Sequence, residues 1–449
     1  MSEFLGSAWW LLVTLGILVT FHEFGHFWVA RRCGVRVLRF SVGFGKALWS
    51  RRSRDGVEYV IGAIPLGGYV KFLDAREADH PELAARQAGE YNAAPVWKRM
   101  AIASAGPLFN VLFTLAAFWL MFVIGRPDFQ PVIGATQGLA AQAGFQSGDR
   151  ITAVDGEATD SWSNAILAVS QAAMLRRDAL IAVIDAQGQV HDRVLRLSTL
   201  PADMIDGEKV IDAIGLRRQL ASVAGTLGAG MPAARAGMQA GDRILSINGI
   251  AVADFDGLSG VINAQAAIDP TLHVIVQRHD EQVALTVTAQ MQTVEGVTKW
   301  RIGIGPADGH FDAIEHYAPL AAVPAALRET WKQTRNTWGI IAGMVSGQAS
   351  TKNLSSVIGI AQAANASAHM GLAWFLAFLG VISLSLAILN LLPIPILDGG
   401  HLVYYLIELV KGSPLSERAM IAGQYVGLAL LATLMSIAFY NDILRHLAG

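Results

Sequence analysis

Four long apolar runs constrain the fold of this chain most strongly, because each is long enough to cross a lipid bilayer. They cover about residues 4–29, 100–124, 371–397 and 419–440, and the second run has no charged side chain in its 25 residues. A membrane-spanning helix needs roughly 20 mainly apolar residues. The composition agrees, since 53% of the 449 residues are apolar and 16% are charged. We therefore expect a polytopic α-helical membrane protein with four transmembrane helices.

The charges between these runs predict the orientation of the chain. Residues 31–54 contain eight Lys or Arg side chains and no Asp or Glu, and such basic runs stay in the cytoplasm. Residues 125–312 hold 14 basic and 21 acidic side chains, and this region then lies outside the cytoplasm. The lipid bilayer is an expected partner, whereas nucleic acid is not, because the basic run is short and lies against a span. A single cysteine, Cys33, excludes an internal disulfide framework.

The first apolar run contains a pattern that is typical of zinc sites. His22, Glu23 and His26 form His-Glu-x-x-His, and histidines four apart share one face of a helix. That spacing lets both rings reach one tetrahedral Zn²⁺, with Glu23 beside them to handle protons. Ionisable side chains inside a span are costly and are functional candidates by default. The motif therefore predicts metal-dependent chemistry within the membrane, toward its cytoplasmic side.

A third protein ligand is needed if water is to hold the fourth position on the metal, and Asp398 is the candidate. It ends the third apolar run, where a carboxylate without a partner is expensive. Pro393 and Pro395 precede it and release backbone groups from the helical ladder. We interpret as zinc ligands the side chains of His22, His26 and Asp398.

The remaining polar side chains near these motifs receive separate roles. Glu23 is the predicted general base, which takes a proton from water and passes it to the leaving amine. Asn390 is a candidate for binding a substrate strand or the developing oxyanion. His401 stays open as an alternative ligand or as a structural polar group. Asn110, in the second run, either serves the site or only bonds a neighbouring helix.

Residues 56–73 read as two β-prone runs around a turn signal, Pro65-Leu66-Gly67-Gly68. We expect a membrane-associated β-hairpin between the first two spans. An open strand edge beside the metal motif would accept an added substrate strand. The predicted substrate-binding residues are Gly67, Gly68 and Tyr69. The alternative is a small cytoplasmic hairpin with no substrate role.

The region outside the cytoplasm contains an internal repeat. Residues 140–156 recur as 233–249 at a constant offset of 93, with ten of 17 positions identical. A fixed period indicates duplicated modules, and the Ala-Gly-x-x-x-Gly-Asp-x-Ile pattern resembles the PDZ domain. We expect two β-rich PDZ-like domains, at 127–219 and 220–308. Their Gly-Asp turns are expected to form the fold, while Arg150 and Arg243 remain candidates for meeting a peptide carboxylate.

The other boundaries follow from these assignments. Residues 1–126 and 371–449 form the predicted membrane core, and 309–370 are predicted linker helices. Trp331 and Trp338 lie seven apart, hence on one helical face, which is typical of an interfacial amphipathic helix. A plain linker helix packed on the second module is equally consistent with the pattern.

Taken together, these motifs resemble the site-2 protease family of intramembrane zinc metalloproteases. The resemblance rests on the pairing of His-Glu-x-x-His with Asn390-x-x-Pro393-x-Pro395-x-Leu397-Asp398-Gly399, and it extends along most of the chain. Other matching segments are 43–45, 65–70 and Gly-Pro-x-x-Asn at 106–110. The chain departs from the family pattern at Ser355-Ser356-Val357, where Gly-Pro usually follows the first serine. That loop lies away from the proposed metal site.

The resemblance implies an enzyme of the bacterial inner membrane that cleaves single-span membrane proteins. Its implied substrates are an anti-sigma factor already trimmed by another protease, in envelope-stress signalling, and leftover signal peptides. It also implies that the PDZ pair acts as a size filter. A non-catalytic scaffold that binds peptides through its PDZ units is the competing class, and the retained Glu23 argues against it. A membrane-anchored protease acting outside the cell is opposed by the predicted orientation.

Overall fold

The computed structural model describes residues 2–75, 88–201, 207–252, 254–279, 281–294, 297–307, 311–346 and 356–448. Its helices are α1 (Ser2–Arg32), α2 (Val96–Ile124), α3 (Gly138–Gln142), α4 (Trp162–Met174), α5 (Gly207–Ile214), α6 (Pro232–Arg235), α7 (Phe255–Ala266), α8 (Pro319–Val345), α9 (Val357–His369), α10 (Leu372–Leu391), α11 (Asp398–Lys411) and α12 (Glu417–Ala448), with a 3₁₀ turn at Leu197–Thr199. Its strands are β1 (Val37–Arg52), β2 (Glu58–Phe72), β3 (Arg126–Asp128), β4 (Ile133–Thr136), β5 (Arg150–Val154), β6 (Glu157–Ala158), β7 (Ala179–Ile184), β8 (Val190–Leu195), β9 (Leu216–Arg218), β10 (Ala224–Leu227), β11 (Arg243–Ile247), β12 (Ile250–Ala251), β13 (Thr271–Arg278), β14 (Glu281–Thr288), β15 (Gln290–Val294), β16 (Val297–Arg301), β17 (Ile304–Pro306) and β18 (Ala313–Glu315). These elements form two compact units, one of Met1–Arg126 with Glu315–Gly449 and one of Pro127–Ile314.

Among the described residues, four helices are long and apolar enough to cross a membrane, as predicted. They are Phe4–Arg32, Val96–Ile124, Leu372–Leu391 and Glu417–Asn441. The predicted end of the third span, at 397, is wrong, because α10 stops at Leu391 and α11 begins only at Asp398. Pro393 and Pro395 lie between the two helices, and proline lacks the N–H that a helix requires.

Helix α2 lies at the centre of the first unit, where it packs against α1, α10, α8 and α11. Glycines allow the closest approaches, since a methyl group at Gly25 of α1 would lie 2.5 Å from the Ala105 carbonyl oxygen of α2. Helix α8, within the predicted linker, packs an alanine face against Phe118 and Phe122 of α2. Helix α9 packs against α1, and Trp331 of α8 is exposed. The linker therefore contributes helices to the unit.

The start of α9 is the point where the sequence departs from the family pattern. Ser355 lies outside the described residues. The Ser356 side chain caps α9 by accepting a hydrogen bond from the Ile358 N–H at 3.1 Å. A serine N-cap satisfies one of the free N–H groups at a helix start.

Strands β1 and β2 form one folded sheet, and its pairing differs from the predicted hairpin. Val42 is paired with Gly68 on one side and with Ile61 on the other, while Ile61 is also paired with Trp49. The strand segments therefore run in the order 68–72, 37–42, 58–61 and 47–52. The prediction that 56–73 pairs with itself is wrong, because residues 37–42 lie between its two halves. An isolated two-stranded hairpin is marginally stable, and the inserted segment gives both halves of β2 a partner.

In the second unit, the two copies of the repeat fold alike. The first copy forms a sheet in the order β6-β5-β7-β8, and the second forms β12-β11-β13-β14. Each sheet has its own buried core, one around Ile151 and Val183 and one around Ile244 and Val276. The equivalent turns use Asp155 and Asn248, both with φ of 51°. Aspartate and asparagine before glycine tolerate this left-handed conformation, which short hairpin turns require.

One loop of the first copy contacts the second copy, and its counterpart in the second copy has a different residue at the point of contact. The Ser147 hydroxyl donates to Asp254 Oδ2 at 2.8 Å. The other Asp254 oxygen caps α7 by accepting from the Gly257 N–H at 2.6 Å. Ala240 occupies the position equivalent to Ser147 in the second copy. A residue of the first copy therefore supports the start of α7 in the second.

Candidate metal centre and active site

Three side chains from two helices, α1 and α11, converge just beyond the end of the third span. His22 Nε2 lies 3.2 Å from Asp398 Oδ2, and His26 Nε2 lies 3.5 Å from the same oxygen. The two Nε2 atoms are 3.3 Å apart. The side chains are 12–19% exposed, so the group is mostly shielded from solvent. The structure thus brings together the three ligands that the sequence predicted from segments more than 370 residues apart.

The Nδ1 atom of each histidine ring, which lies away from Asp398, contacts a neighbouring residue. His26 Nδ1 lies 2.8 Å from the Ile102 carbonyl oxygen, which can only accept, so Nδ1 carries the proton and Nε2 keeps its lone pair. His22 Nδ1 lies 3.3 Å from Asn110 Nδ2, and the buried Asn110 Oδ1 has no hydrogen-bond partner among the described residues. A rotation of the amide by about 180° lets Oδ1 accept the Nδ1 proton and leaves the lone pair on His22 Nε2. Contacts of this kind orient the rings of metal-binding histidines. Asn110 is therefore placed to serve the site. Its backbone carbonyl oxygen accepts hydrogen bonds from the hydroxyls of Thr114 and Ser383, at 2.9 Å each.

The donor set fits a divalent cation. Asp398 Oδ2 is buried and has no hydrogen-bond partner among the described residues. It faces two imidazole nitrogens, and an acceptor buried without a partner is costly. Two neutral histidines and one carboxylate are the ligand types that catalytic zinc sites use while they keep one position open. A zinc ion would supply the missing partner of all three atoms.

Gly106 of α2 leaves space for the imidazole rings of His22 and His26. A methyl group on Gly106 of α2 would overlap His26 Nε2 and would lie 2.7 Å from His22 Cε1. Any larger residue at 106 would displace both rings. The Gly-Pro-x-x-Asn segment thus combines a clearance for the imidazoles at Gly106 with a polar contact at Asn110.

Glu23 lies between the metal group and the sheet. The Val70 backbone N–H is within hydrogen-bonding range of its carboxylate. A methyl group on Gly68 would lie 3.1 Å from Glu23 Cγ and 2.7 Å from the Ser41 carbonyl oxygen. Residues 68–72 pair with 37–42 on one side and form an edge of the described sheet. The predicted general base therefore lies directly against a strand edge.

The other predicted substrate residues lie at the same edge. Gly67 has φ of 140°, and a methyl group there would overlap the Phe44 ring. The Tyr69 ring stacks on Phe44 with centroids 6.2 Å apart, and its hydroxyl accepts from Arg39 at 3.0 Å. Tyr69 is the pairing partner of Ser41 in the neighbouring strand, and its side chain thus supports the edge segment.

Two further predicted residues remain outside the three-atom group. Asn390 is half-buried near the end of α10, and it is not a member of the group around Asp398. His401 lies one turn into α11, and its ring packs near those of Tyr404 and Tyr405, with centroids 6.1 and 6.4 Å away. The potential metal group contains His22, His26 and Asp398 but not His401.

Sequence reasoning missed an ion pair that holds the two halves of the site together. Arg99, near the start of α2, pairs with Glu408 of α11. The available signal was a charge close to each apolar segment, but the sequence does not indicate that these two charges, 309 residues apart, form a pair.

Membrane helices that bring a His-Glu-x-x-His motif against an aspartate define an intramembrane metalloprotease. The chain matches peptidase family M50 over residues 10–434, and it belongs to that family. It is therefore a zinc metalloprotease of the site-2 type.

Full-length relatives support this assignment. Protease RseP of Yersinia pestis is 40% identical over 455 residues, which cover 99% of this chain and 100% of the relative. The regulator of sigma-E protease RseP of Escherichia coli (strain K12) is 37% identical over 455 residues, with the same coverage. A protein of Xylella fastidiosa (strain Temecula1) that is named as a zinc metalloprotease is 48% identical over 450 residues, 99% of this chain and 100% of the relative.

Proposed function

We propose that this protein is an intramembrane zinc endopeptidase that cleaves single-span membrane proteins. His22, His26 and Asp398 hold the zinc ion, and Glu23 is the general base. The observation that carries the proposal is the convergence of two Nε2 atoms on a buried Asp398 oxygen that lacks a hydrogen-bond partner. That arrangement is costly without a cation and is suited to one.

Each residue then has a defined part in hydrolysis. Zinc held by His22, His26 and Asp398 would lower the pKa of a water to roughly 7 and would polarise the scissile carbonyl. The Glu23 carboxylate takes the proton of the attacking water and gives it to the leaving amine nitrogen. Ile102 and Asn110 keep the Nε2 atoms of the two rings turned toward the ligand position. Asn390 is proposed to bind the substrate strand or the developing oxyanion.

A substrate helix must unwind before it can be cut, because a helical carbonyl is already hydrogen-bonded. In lipid the freed backbone groups need new partners. We propose that the edge formed by 68–72, with the adjoining Gly67, supplies them by adding the substrate as an extra strand. Since Gly68 lies against Glu23, the added strand would run directly past the general base.

The relatives suggest the physiological role. The name of the Escherichia coli relative refers to regulation of sigma-E. We propose that this protein resides in a bacterial inner membrane and cleaves an anti-sigma factor that another protease has already trimmed, as well as signal-peptide remnants. The basic run at 31–54 supports a cytoplasmic position for the sheet and an active site toward that side.

We also propose that the repeated modules, at about 127–219 and 220–308, are PDZ-like domains in the periplasm that exclude substrates with folded outer domains. Their matching sheet orders support a common fold for the two. Deletion of about 127–308 is expected to permit cleavage of substrates with intact outer domains. If such substrates stay uncut, the modules are not the filter.

A single substitution separates the protease from a peptide-binding scaffold. Glu23→Gln should lower cleavage of a single-span reporter by about 10²- to 10⁴-fold, because it removes the base while retaining shape. Zinc content should stay near the wild-type level, whereas His26→Ala should lose both zinc and activity. Wild-type cleavage rates in Glu23→Gln would contradict the mechanism.

A further inference from the structure

The segment that presents Asp398 contains a strained turn. The Leu397 N–H donates to the Ile394 carbonyl oxygen at 3.0 Å, which closes a four-residue turn with Pro395 and Ile396 in its centre. Ile396 has φ of 99°. Proline followed by a residue with positive φ is the type II pattern, whose third position normally holds glycine. A β-branched residue there is a genuine outlier and persists only where its surroundings hold it.

The turn sets the position of the aspartate that follows it. Asp398 is the first residue of α11, and the next two residues are glycines packed on the turn. A methyl group on Gly399 would overlap the Leu392 carbonyl oxygen, and one on Gly400 would lie 2.5 Å from the Ile394 carbonyl oxygen. A change in the turn is therefore transmitted directly to the start of α11.

Helix α12 touches the turn through two glycines. A methyl group on Gly427 would overlap the Pro395 carbonyl oxygen, and one on Gly423 would lie 3.6 Å from Pro395 Cβ and overlap the Tyr404 hydroxyl. Residues four apart share one face of a helix. This Gly-x-x-x-Gly pair is a spacing that often joins two membrane helices. Here it fits the turn of the same chain.

We propose that α12 positions Asp398 by bracing the Ile394–Leu397 turn with Gly423 and Gly427. These glycines are positioning residues, since they act on the metal group only through the turn. The brace keeps Ile396 in its strained conformation and thereby fixes the carboxylate opposite the two histidines. This inference rests on the proposed role of Asp398 as a zinc ligand.

The test is the zinc affinity of the purified full-length protein in detergent, measured by competition with a chromophoric chelator. Gly427→Ala should weaken zinc binding by about 10-fold, in the range seen when residues that orient ligands are changed. The matched control is Gly16→Ala in α1, where a methyl group meets nothing within 4 Å. This control should bind zinc as the wild type does.

A rescue variant separates positioning from general damage. Adding Ile396→Gly to Gly427→Ala removes the strain that the brace opposes, and it should restore zinc affinity to within about threefold of the wild type. General unfolding would not be rescued in this way. If Gly427→Ala does not fold, Gly423→Leu replaces it, because its side chain would displace the same turn.

The outcomes are distinguishable. A wild-type protein that binds no zinc would overturn the proposed function itself. Zinc binding by the wild type together with unchanged affinity in Gly427→Ala, or in Gly423→Leu, would overturn only the brace. Failure of Ile396→Gly to rescue a folded Gly427→Ala protein would also overturn it.

Discussion

Arg99 and Glu408 form a bidentate ion pair, with Nη1 and Nη2 lying 3.1 Å and 2.7 Å from the two carboxylate oxygens. Their side chains are only 9% and 14% exposed. Arg99 lies on α2 seven residues before Gly106, and Glu408 lies on α11 ten residues after Asp398. The pair therefore joins the helix that packs on the histidines to the helix that supplies the aspartate.

Removal of one partner of this pair is expected to be costly. Glu408→Gln leaves a mostly buried guanidinium without its carboxylate, and it should lower the free energy of unfolding by about 3 kcal/mol. Chemical unfolding of the purified protein in detergent measures the difference. The double variant Arg99→Met with Glu408→Met should recover most of the loss, because it buries no charge. An unchanged unfolding midpoint in Glu408→Gln would contradict this assignment.

Gly106→Ala is expected to abolish the metal centre while the helices remain folded. The added methyl group would overlap His26 Nε2, so the two rings cannot keep their positions. Zinc affinity should fall by about 100-fold or more. Helix content by circular dichroism should match that of the control Gly16→Ala. Normal zinc binding in Gly106→Ala would show that the rings do not hold the ion where they converge here.

Asn110→Ala tests whether the amide side chain orients His22. The variant should bind zinc about 10-fold more weakly, because it removes the contact with His22 Nδ1. The bonds from Thr114 and Ser383 go to the backbone carbonyl of Asn110, so they survive the substitution. Asn110→Asp, which can accept the Nδ1 proton, should restore affinity. Equal affinities in all three proteins would leave Asn110 with a packing role only.

The second repeat module should lose stability in acid through Asp242. Its side chain is 1% exposed, and the hydrogen bonds from Arg278 hold the pKa of this carboxyl below its usual range. An aspartate with a lowered folded-state pKa stabilises the protein fully above the unfolded pKa of about 3.9 and loses that contribution as the pH falls through the folded value.

Asp242→Asn should therefore lower the unfolding temperature of the full chain near pH 7, and its difference from the wild type should shrink below about pH 4. Asp149→Asn in the first module is the matched control, since the described hydrogen bond to the Asp149 side chain comes from the Gln146 N–H, which asparagine also accepts. A pH-independent difference would mean that the ion pair does not contribute.

The spans and the metal group could be predicted because their physics is visible in single segments. A histidine pair, a glutamate and an aspartate in apolar runs are too costly to be incidental. Pairing between distant strands was not predictable in this way. The turn signal before Gly68 suggested a hairpin, whereas Val42 takes partners from both halves of β2. Whether the two halves of β2 pair with each other or with 37–42 depends on which arrangement gives more backbone groups a hydrogen-bond partner.

Contacts between particular helices could not be predicted from the sequence either. Nothing in the sequence around Gly427 indicates that its partner is Pro395, because Gly-x-x-x-Gly usually predicts an association of two helices. The pattern of charges near Arg99 likewise gives no partner. These contacts depend on the angles and positions at which the helices cross, and an apolar sequence does not determine them.

The hydroxyl of Ser147 makes the contact between the two duplicated modules asymmetric. The first copy uses its loop to hold the helix cap of the second, and the second copy carries Ala240 where that hydroxyl would be. The equivalent loop of the second copy has no hydroxyl at this position and cannot form the same hydrogen bond. The hydroxyl that is present at Ser147 and absent at Ala240 thus makes this contact one-way, so the two modules are not interchangeable in the chain.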